Sequence, residues 1–289
     1  MPHWLDTREY PFAPHYLEIG PHRMHYVDEG QGEVLLFVHG TPSWSFDFRH
    51  LIKAFSPTHR CIAPDHLGFG LSDKPTSYPY RTQTHADNLM VLIEQLNLKN
   101  ITLVVHDFGG PIGLNYALRQ PDNVKKLVIL NTWLWSSEGE PEFEQAKKML
   151  RSPLLPFLYK YLNFSARFLL PRSFGDRNKL SRHIHRHYTR PFDKPASRMG
   201  TVAFARSLLK DQAWFESLWM RRACITDKPT LFVWGMKDPF ITGKYLDKFA
   251  DHFFYRRVVR LEETGHFPQE ENPEAVIREM RAFLTQGSH

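Results

Sequence analysis

The chain has 289 residues, of which 42% are hydrophobic and 24% charged, with a formal net charge of +6. That length can bury a full-sized core in one or two domains, and no apolar run approaches the ~20 residues of a membrane span. Residues 1–10 hold no apolar signal core, so secretion is not expected and a cytoplasmic setting is. Two cysteines, Cys61 and Cys224, argue against a disulfide framework or a cysteine-rich metal site, and both read as small buried hydrophobes. Residues 133–223 hold 17 Lys and Arg against 8 Asp and Glu, while the remainder holds 20 against 23. With no nucleic-acid module beside it, this basic middle segment reads as a solvated surface. Neither nucleic acid nor membrane is expected as a partner.

In chain order, strand-like runs cover residues 15–19 and 24–27, which alternate in polarity and are joined by a turn at Gly20-Pro21. They suit an antiparallel edge hairpin. Runs at 34–38, 61–63, 101–105 and 126–130 are short and almost wholly apolar, as strands buried on both faces of a parallel sheet are. Helical spacing at 84–96 puts Leu89, Leu92, Ile93 and Leu96 on one face, and a second helix is predicted over 112–119. The rhythm breaks after Leu130. From 133 to 223 there are helical stretches split by prolines and no strand pattern; strands resume at 230–234 and 257–261, and a helix over 273–284 closes the chain. The economical reading is a doubly wound α/β core, residues 1–132 plus 224–289, with a helical cap at 133–223 inserted between two of its strands.

Four strand ends carry the chemistry. Val104-Val105-His106-Asp107-Phe108-Gly109-Gly110 runs an apolar strand straight into an acid, then small residues and a helix. That is the strand–turn–helix context of a nucleophile elbow, with Asp where many enzymes place Ser. Trp234-Gly235-Met236-Lys237-Asp238 and Glu263-Thr264-Gly265-His266-Phe267 follow the last two strands, so nucleophile, acid and histidine come in α/β-hydrolase order. Asp107 is the expected nucleophile, His266 the base and Asp238 the acid that orients it. After the strand at 126–130 the residue is Asn131, leaving Asp238 as the well-placed acid. In Phe37-Val38-His39-Gly40-Thr41-Pro42 the amide of Thr41, with that of Phe108, would form an oxyanion hole.

These motifs, together with Tyr10-Pro11-Phe12, Ala63-Pro64-Asp65-His66-Leu67-Gly68-Phe69-Gly70-Leu71-Ser72-Asp73-Lys74-Pro75, Arg190-Pro191-Phe192 and Gly265-His266-Phe267-Pro268-Gln269-Glu270, resemble the haloalkane dehalogenase family over nearly the whole chain. The resemblance implies an α/β-hydrolase fold with a mostly parallel eight-stranded sheet and a cap. It also implies hydrolytic dehalogenation through an aspartyl ester, with a small apolar or halogenated substrate, water as co-substrate and no cofactor. A monomer or weak homodimer is expected. Two positions depart from the family. Its members usually hold the leaving halide with a Trp after the nucleophile and often an Asn after His-Gly; here Phe108 and Thr41 stand there. Phenylalanine offers no side-chain donor, so Trp133 and Trp135 are the candidate replacements and weak dehalogenation is expected. Epoxide hydrolysis, using O–H donors from Tyr159, Tyr161 or Tyr188, is the alternative activity. A ligand-binding protein on a hydrolase scaffold is a third reading, against which the intact Asp107, Asp238 and His266 set argues. The cluster His183-Ile184-His185-Arg186-His187 has a metal-like spacing, but its arginines would repel a cation, and no metal is expected.

Overall fold

The computed structural model describes residues 1–285. Eight strands form one sheet: β1 (His15–Ile19), β2 (His22–Glu29), β3 (Val34–Val38), β4 (Arg60–Pro64), β5 (Ile101–His106), β6 (Val124–Leu130), β7 (Thr230–Gly235) and β8 (Arg256–Leu261). Their spatial order is β1-β2-β4-β3-β5-β6-β7-β8. β2 pairs antiparallel with β1 and β4, and every other pairing is parallel. The mostly parallel sheet is the one expected. Two strands, β1 and β3, match the expected runs, and the others reach one to four residues beyond them, because polar ends such as Asp28-Glu29 continue the ladder opposite Ile62 and Cys61.

Alternation along the central strands divides the core in two. Leu36, Val38, Leu103, Val105, Leu127 and Ile129 face the helices Thr82–Gln95 and Gly109–Arg119. Leu35, Phe37, Val104, Val128, Leu130 and Val233 face the helices Arg49–Phe55 and Pro273–Leu284. Every residue of β3, β5 and β7 is buried, so these strands read as nearly continuous apolar runs.

No strand occurs between β6 and β7. That stretch holds the helices Pro141–Leu150, Leu155–Leu162, Arg182–Thr189, Met199–Lys210 and Gln212–Met220. Phe204, Phe215 and Trp219 pack into the same apolar core as the sheet, while Leu150, Leu155, Tyr159 and Val202 form a smaller cluster of their own. One expectation fails here. Cys61 is buried in β4, but Cys224 is exposed, because it ends the short turn Arg222–Cys224 on the surface.

Candidate active site

A parallel sheet delivers the residues after its strands to one edge, the carboxyl edge. Thr41 follows β3, Asp107 follows β5, Asn131 follows β6, Asp238 follows β7 and His266 follows β8. Distant sequence positions thereby meet.

Asp107 sits in the left-handed region at φ 51°, a conformation that costs a non-glycine residue energy and persists where its surroundings over-determine it. Here the amide of Asp107 donates to Asn131 O (3.1 Å), and the Thr132 hydroxyl donates to the carbonyl of Asp107. Gly109 lies against the carbonyl of Val38 and Gly40 against Asp107 Oδ1, so closely that a Cβ at either position would overlap them. The turn thus lifts the carboxylate out of the strand end while its backbone stays pinned.

The two oxygens of Asp107 have different neighbours. Oδ1 accepts from the Thr41 amide at 2.7 Å. Oδ2 lies 3.4 Å from His266 Nε2, and His266 Nδ1 lies 2.6 Å from Asp238 Oδ2. Burial would raise the Asp107 carboxyl, but the hydrogen bond and charge of His266, helped by the Phe108 amide, bring it below the ordinary aspartate value. Burial likewise disfavours charge on His266. The carboxylates of Asp238 and Asp107 outweigh it and hold the imidazole up at about 10. The ring is therefore an imidazolium in the resting site. Were Asp107 converted to a neutral ester, one of those two anions would vanish and the ring would become a base.

Three further residues brace this set. Asn131 donates through Nδ2 to Asp238 Oδ2 (2.9 Å) and to Gly235 O, and accepts from the Gly235 amide. His106 Nε2 donates to the backbone oxygen of His266 (2.6 Å). Buried Glu271 accepts the amides of Gly265 (2.7 Å), Gly175 (3.0 Å) and Asp176 (2.7 Å), while the amide of His266 donates to Ser173 O (2.8 Å). The histidine loop is thus stitched to residues 173–176. Sequence reasoning weighed Asn131 as a lost acid and missed it as a donor. For Glu271 no local signal existed, since its three amide partners come from two other loops.

A cavity of about 240 Å³ opens above Asp107, lined among others by Phe108, Trp133, Phe143, Leu150, Tyr159 and Leu170. Phe108 stacks on Phe204 (4.5 Å between ring centres) and meets the edge of Trp133. The indole N–H of Trp133 has no acceptor among the described residues. Trp135 is not brought to the cavity: its N–H donates to Glu140 Oε1 at 3.1 Å and its ring packs on Tyr245 and Trp219. Of the three tyrosines, only Tyr159 lines the cavity, with its hydroxyl pushed up to about 12 by burial. Tyr161 is exposed, and the Tyr188 hydroxyl is spent on Glu270 in the opposite core. His183 and His187 both turn to Asp6, one to its carboxylate and the other to its amide, while His185 donates to Ala166 O.

The fold and this edge of strand-end residues define an alpha/beta hydrolase. The profile of the alpha/beta hydrolase fold matches residues 33–273, and the chain belongs to that family. Among curated proteins it is 38% identical to a cis-3-alkyl-4-alkyloxetan-2-one decarboxylase of Shewanella oneidensis, over 98% of this chain and 91% of that one. It is 32% identical to haloalkane dehalogenase 2 of Mycobacterium tuberculosis, over 94% of both chains. Among solved structures, a haloalkane dehalogenase of Bradyrhizobium elkani superposes with a TM-score of 0.85 at 26% identity, covering 94% of this chain and 97% of that one. The expected likeness to haloalkane dehalogenases is met, and beside it stands a decarboxylase that the sequence reading did not anticipate.

Proposed function

We propose that this chain is a covalent-catalysis enzyme in which Asp107 attacks a saturated carbon, and that its substrate is a 3,4-dialkyl β-lactone, released as an alkene and carbon dioxide. The observation that carries this reading is the donor-poor wall beside the nucleophile. Phe108 offers no side-chain N–H and Trp135 is committed to Glu140, so of the candidate indole N–H groups only that of Trp133 is left to meet a departing halide. A charge-assisted hydrogen bond is worth roughly 1.5–3 kcal/mol, and halide release lacking one is slow. A lactone makes no such demand, because its leaving group is a carboxylate that stays tethered. The likeness to the Shewanella decarboxylase supports the same substrate class.

The chemistry closes on the residues present. Asp107 Oδ2 attacks the ring carbon C4. The C4–O1 bond breaks, its electron pair stays on the new substrate carboxylate, and Asp107 becomes an ester whose carbonyl oxygen lies at the amides of Thr41 and Phe108. The opened carboxylate takes the place of Asp107 as the second anion beside His266, so the imidazolium balances its charge, while the Tyr159 hydroxyl and the Trp133 indole donate to it. The C2–C3 bond then breaks to give carbon dioxide, its electrons form the C3=C4 double bond, and the C4–O bond returns its pair to Asp107. No water is consumed. Inversion at C4 followed by anti departure converts a cis lactone into a cis alkene. In this reading residues 133–223 act as the cap over a core of 1–132 and 224–289.

The test is turnover of a cis-3,4-dialkyloxetan-2-one in heavy-oxygen water, scored for alkene, carbon dioxide and the mass of the peptide bearing Asp107. Alkene with unlabelled Asp107 is expected. A β-hydroxy acid with label in Asp107 would overturn the reading in favour of hydrolysis. Hydrolytic dehalogenation remains the second reading, favoured by the unclaimed Trp133 N–H. It predicts halide release that Trp133→Phe abolishes, label in Asp107, and an alkylated Asp107 that accumulates in His266→Ala.

A further inference from the structure

The basic excess of the middle segment has a location. Residues 147–172 contain six cations, Lys147, Lys148, Arg151, Lys160, Arg167 and Arg172, and no Asp or Glu. The helix Leu155–Leu162 in this stretch is apolar on both sides. Its inner residues Leu155 and Tyr159 are buried, with Tyr159 on the cavity. Its outer side, at the i, i+3, i+7 spacing of one helix face, presents Leu154 at 64% exposure, Phe157 at 53% and Tyr161 at 53%. Leu162, Phe168 and Met149 extend the exposed apolar surface. Phe157 and Tyr161 pack ring to ring at 5.0 Å, and Lys160 Nζ lies over the Tyr161 ring. Lys148, Arg151 and Arg167 have no ion-pair partner among the described residues.

We propose that this face of the cap docks on an anionic lipid surface, with Leu154, Phe157 and Tyr161 in the headgroup boundary and the flanking cations on lipid phosphates. Clustered large hydrophobics on a monomer's surface mark an interaction site, and aromatic and leucine side chains ringed by Lys and Arg are the composition of interfacial helices. Charge selects the occupant. A second copy would set these cations against one another, whereas an anionic bilayer attracts every Lys or Arg brought to its surface. No helix among the described residues is long and apolar enough to cross a membrane, so the contact is peripheral. It replaces the expectation of no membrane partner, which rested on the lack of a spanning run. The placement has a use: Met149, Leu150, Leu169 and Leu170 of the same stretch line the cavity holding Asp107, so an apolar substrate could pass from lipid to nucleophile without crossing water.

The experiment is flotation of the full chain with vesicles of equimolar phosphatidylcholine and phosphatidylglycerol, against phosphatidylcholine alone, without substrate so that the outcome is independent of the lactone reading. Binding to the anionic vesicles that weakens with salt is expected. Arg151→Glu with Lys160→Glu, and separately Phe157→Ser with Tyr161→Ser, should each lower it by about tenfold or more while melting temperature is unchanged. The proposal is overturned by no binding at low salt, by equal binding to both vesicles, by variants that bind like the parent, or by a dimer in solution that Phe157→Ser dissociates. Binding to polyglutamate as tight as to vesicles and indifferent to the aromatic variants would assign the face to an acidic protein instead, and would equally overturn it.

Discussion

His266 carries two carboxylates' worth of stabilisation on one proton. An unfolded imidazole titrates near 6.5, whereas the folded ring holds its proton to about 10. Below 6.5 both states are protonated and the stabilisation is fully present. Between those values only the folded state keeps the proton, so stability falls as pH rises, by at most about 1.4 kcal/mol per pH unit, and above the upper value it is gone. Urea midpoints of the parent should therefore decline across that alkaline window, and His266→Gln should lose the decline. A parent curve that stays flat there would refute the imidazolium. Asn131 makes a second test at this scale. Asn131→Leu leaves buried Asp238 short of a charge-assisted donor, worth roughly 1.5–3 kcal/mol. Turnover should fall about 10- to 100-fold, with the alkaline limb of the pH profile moved and KM little changed. A merely structural Asn131 would move stability and leave the pH profile alone.

At the scale of elements, the elbow between β5 and the helix Gly109–Arg119 stores the geometry of the site. A methyl at position 109 meets the Val38 carbonyl, a backbone atom that cannot rotate away. Gly109→Ala should cost about 1–3 kcal/mol of stability and most of the turnover, because relief requires moving Phe108 and Asp107; denaturant titration and initial rates would show both. This element was readable from Val104 to Gly110 because an apolar strand, an acid and two small residues are contiguous. The central strands were readable for the same reason, each carrying a short, nearly continuous apolar run. The bracing residues were not. Asn131 reaches Asp238 across 107 positions, and Glu271 looks like one more acid near a helix start until three backbone amides converge on it. Trp133 and Trp135 show the limit of local spacing: two positions apart, one faces the cavity and the other faces Glu140.

For the whole molecule, the insertion between β6 and β7 supplies much of the cavity wall, including Phe143, Leu150, Tyr159 and Leu170. Deleting residues 138–221 should leave no turnover of small apolar substrates, and should also destabilise what remains, since Ser173 O and the Gly175 and Asp176 amides leave with it. A truncated chain with parental activity would place the pocket elsewhere. The clasp on Glu271 has a consequence for descent as well. The inserted helices Met199–Lys210 and Gln212–Met220 meet the sheet through apolar contacts that tolerate repacking. Residues 173–176 do not, because the amides of Gly175 and Asp176 share the Glu271 carboxylate with the amide of Gly265, just before His266, whose own amide donates to Ser173 O. Any recombination that brings in a foreign insertion between β6 and β7 must bring a loop whose amides suit the resident Glu271, or inherit the two as a pair. Gly175 and Asp176 are thus coupled to the backbone beside His266, although neither belongs to the Asp107, Asp238 and His266 set.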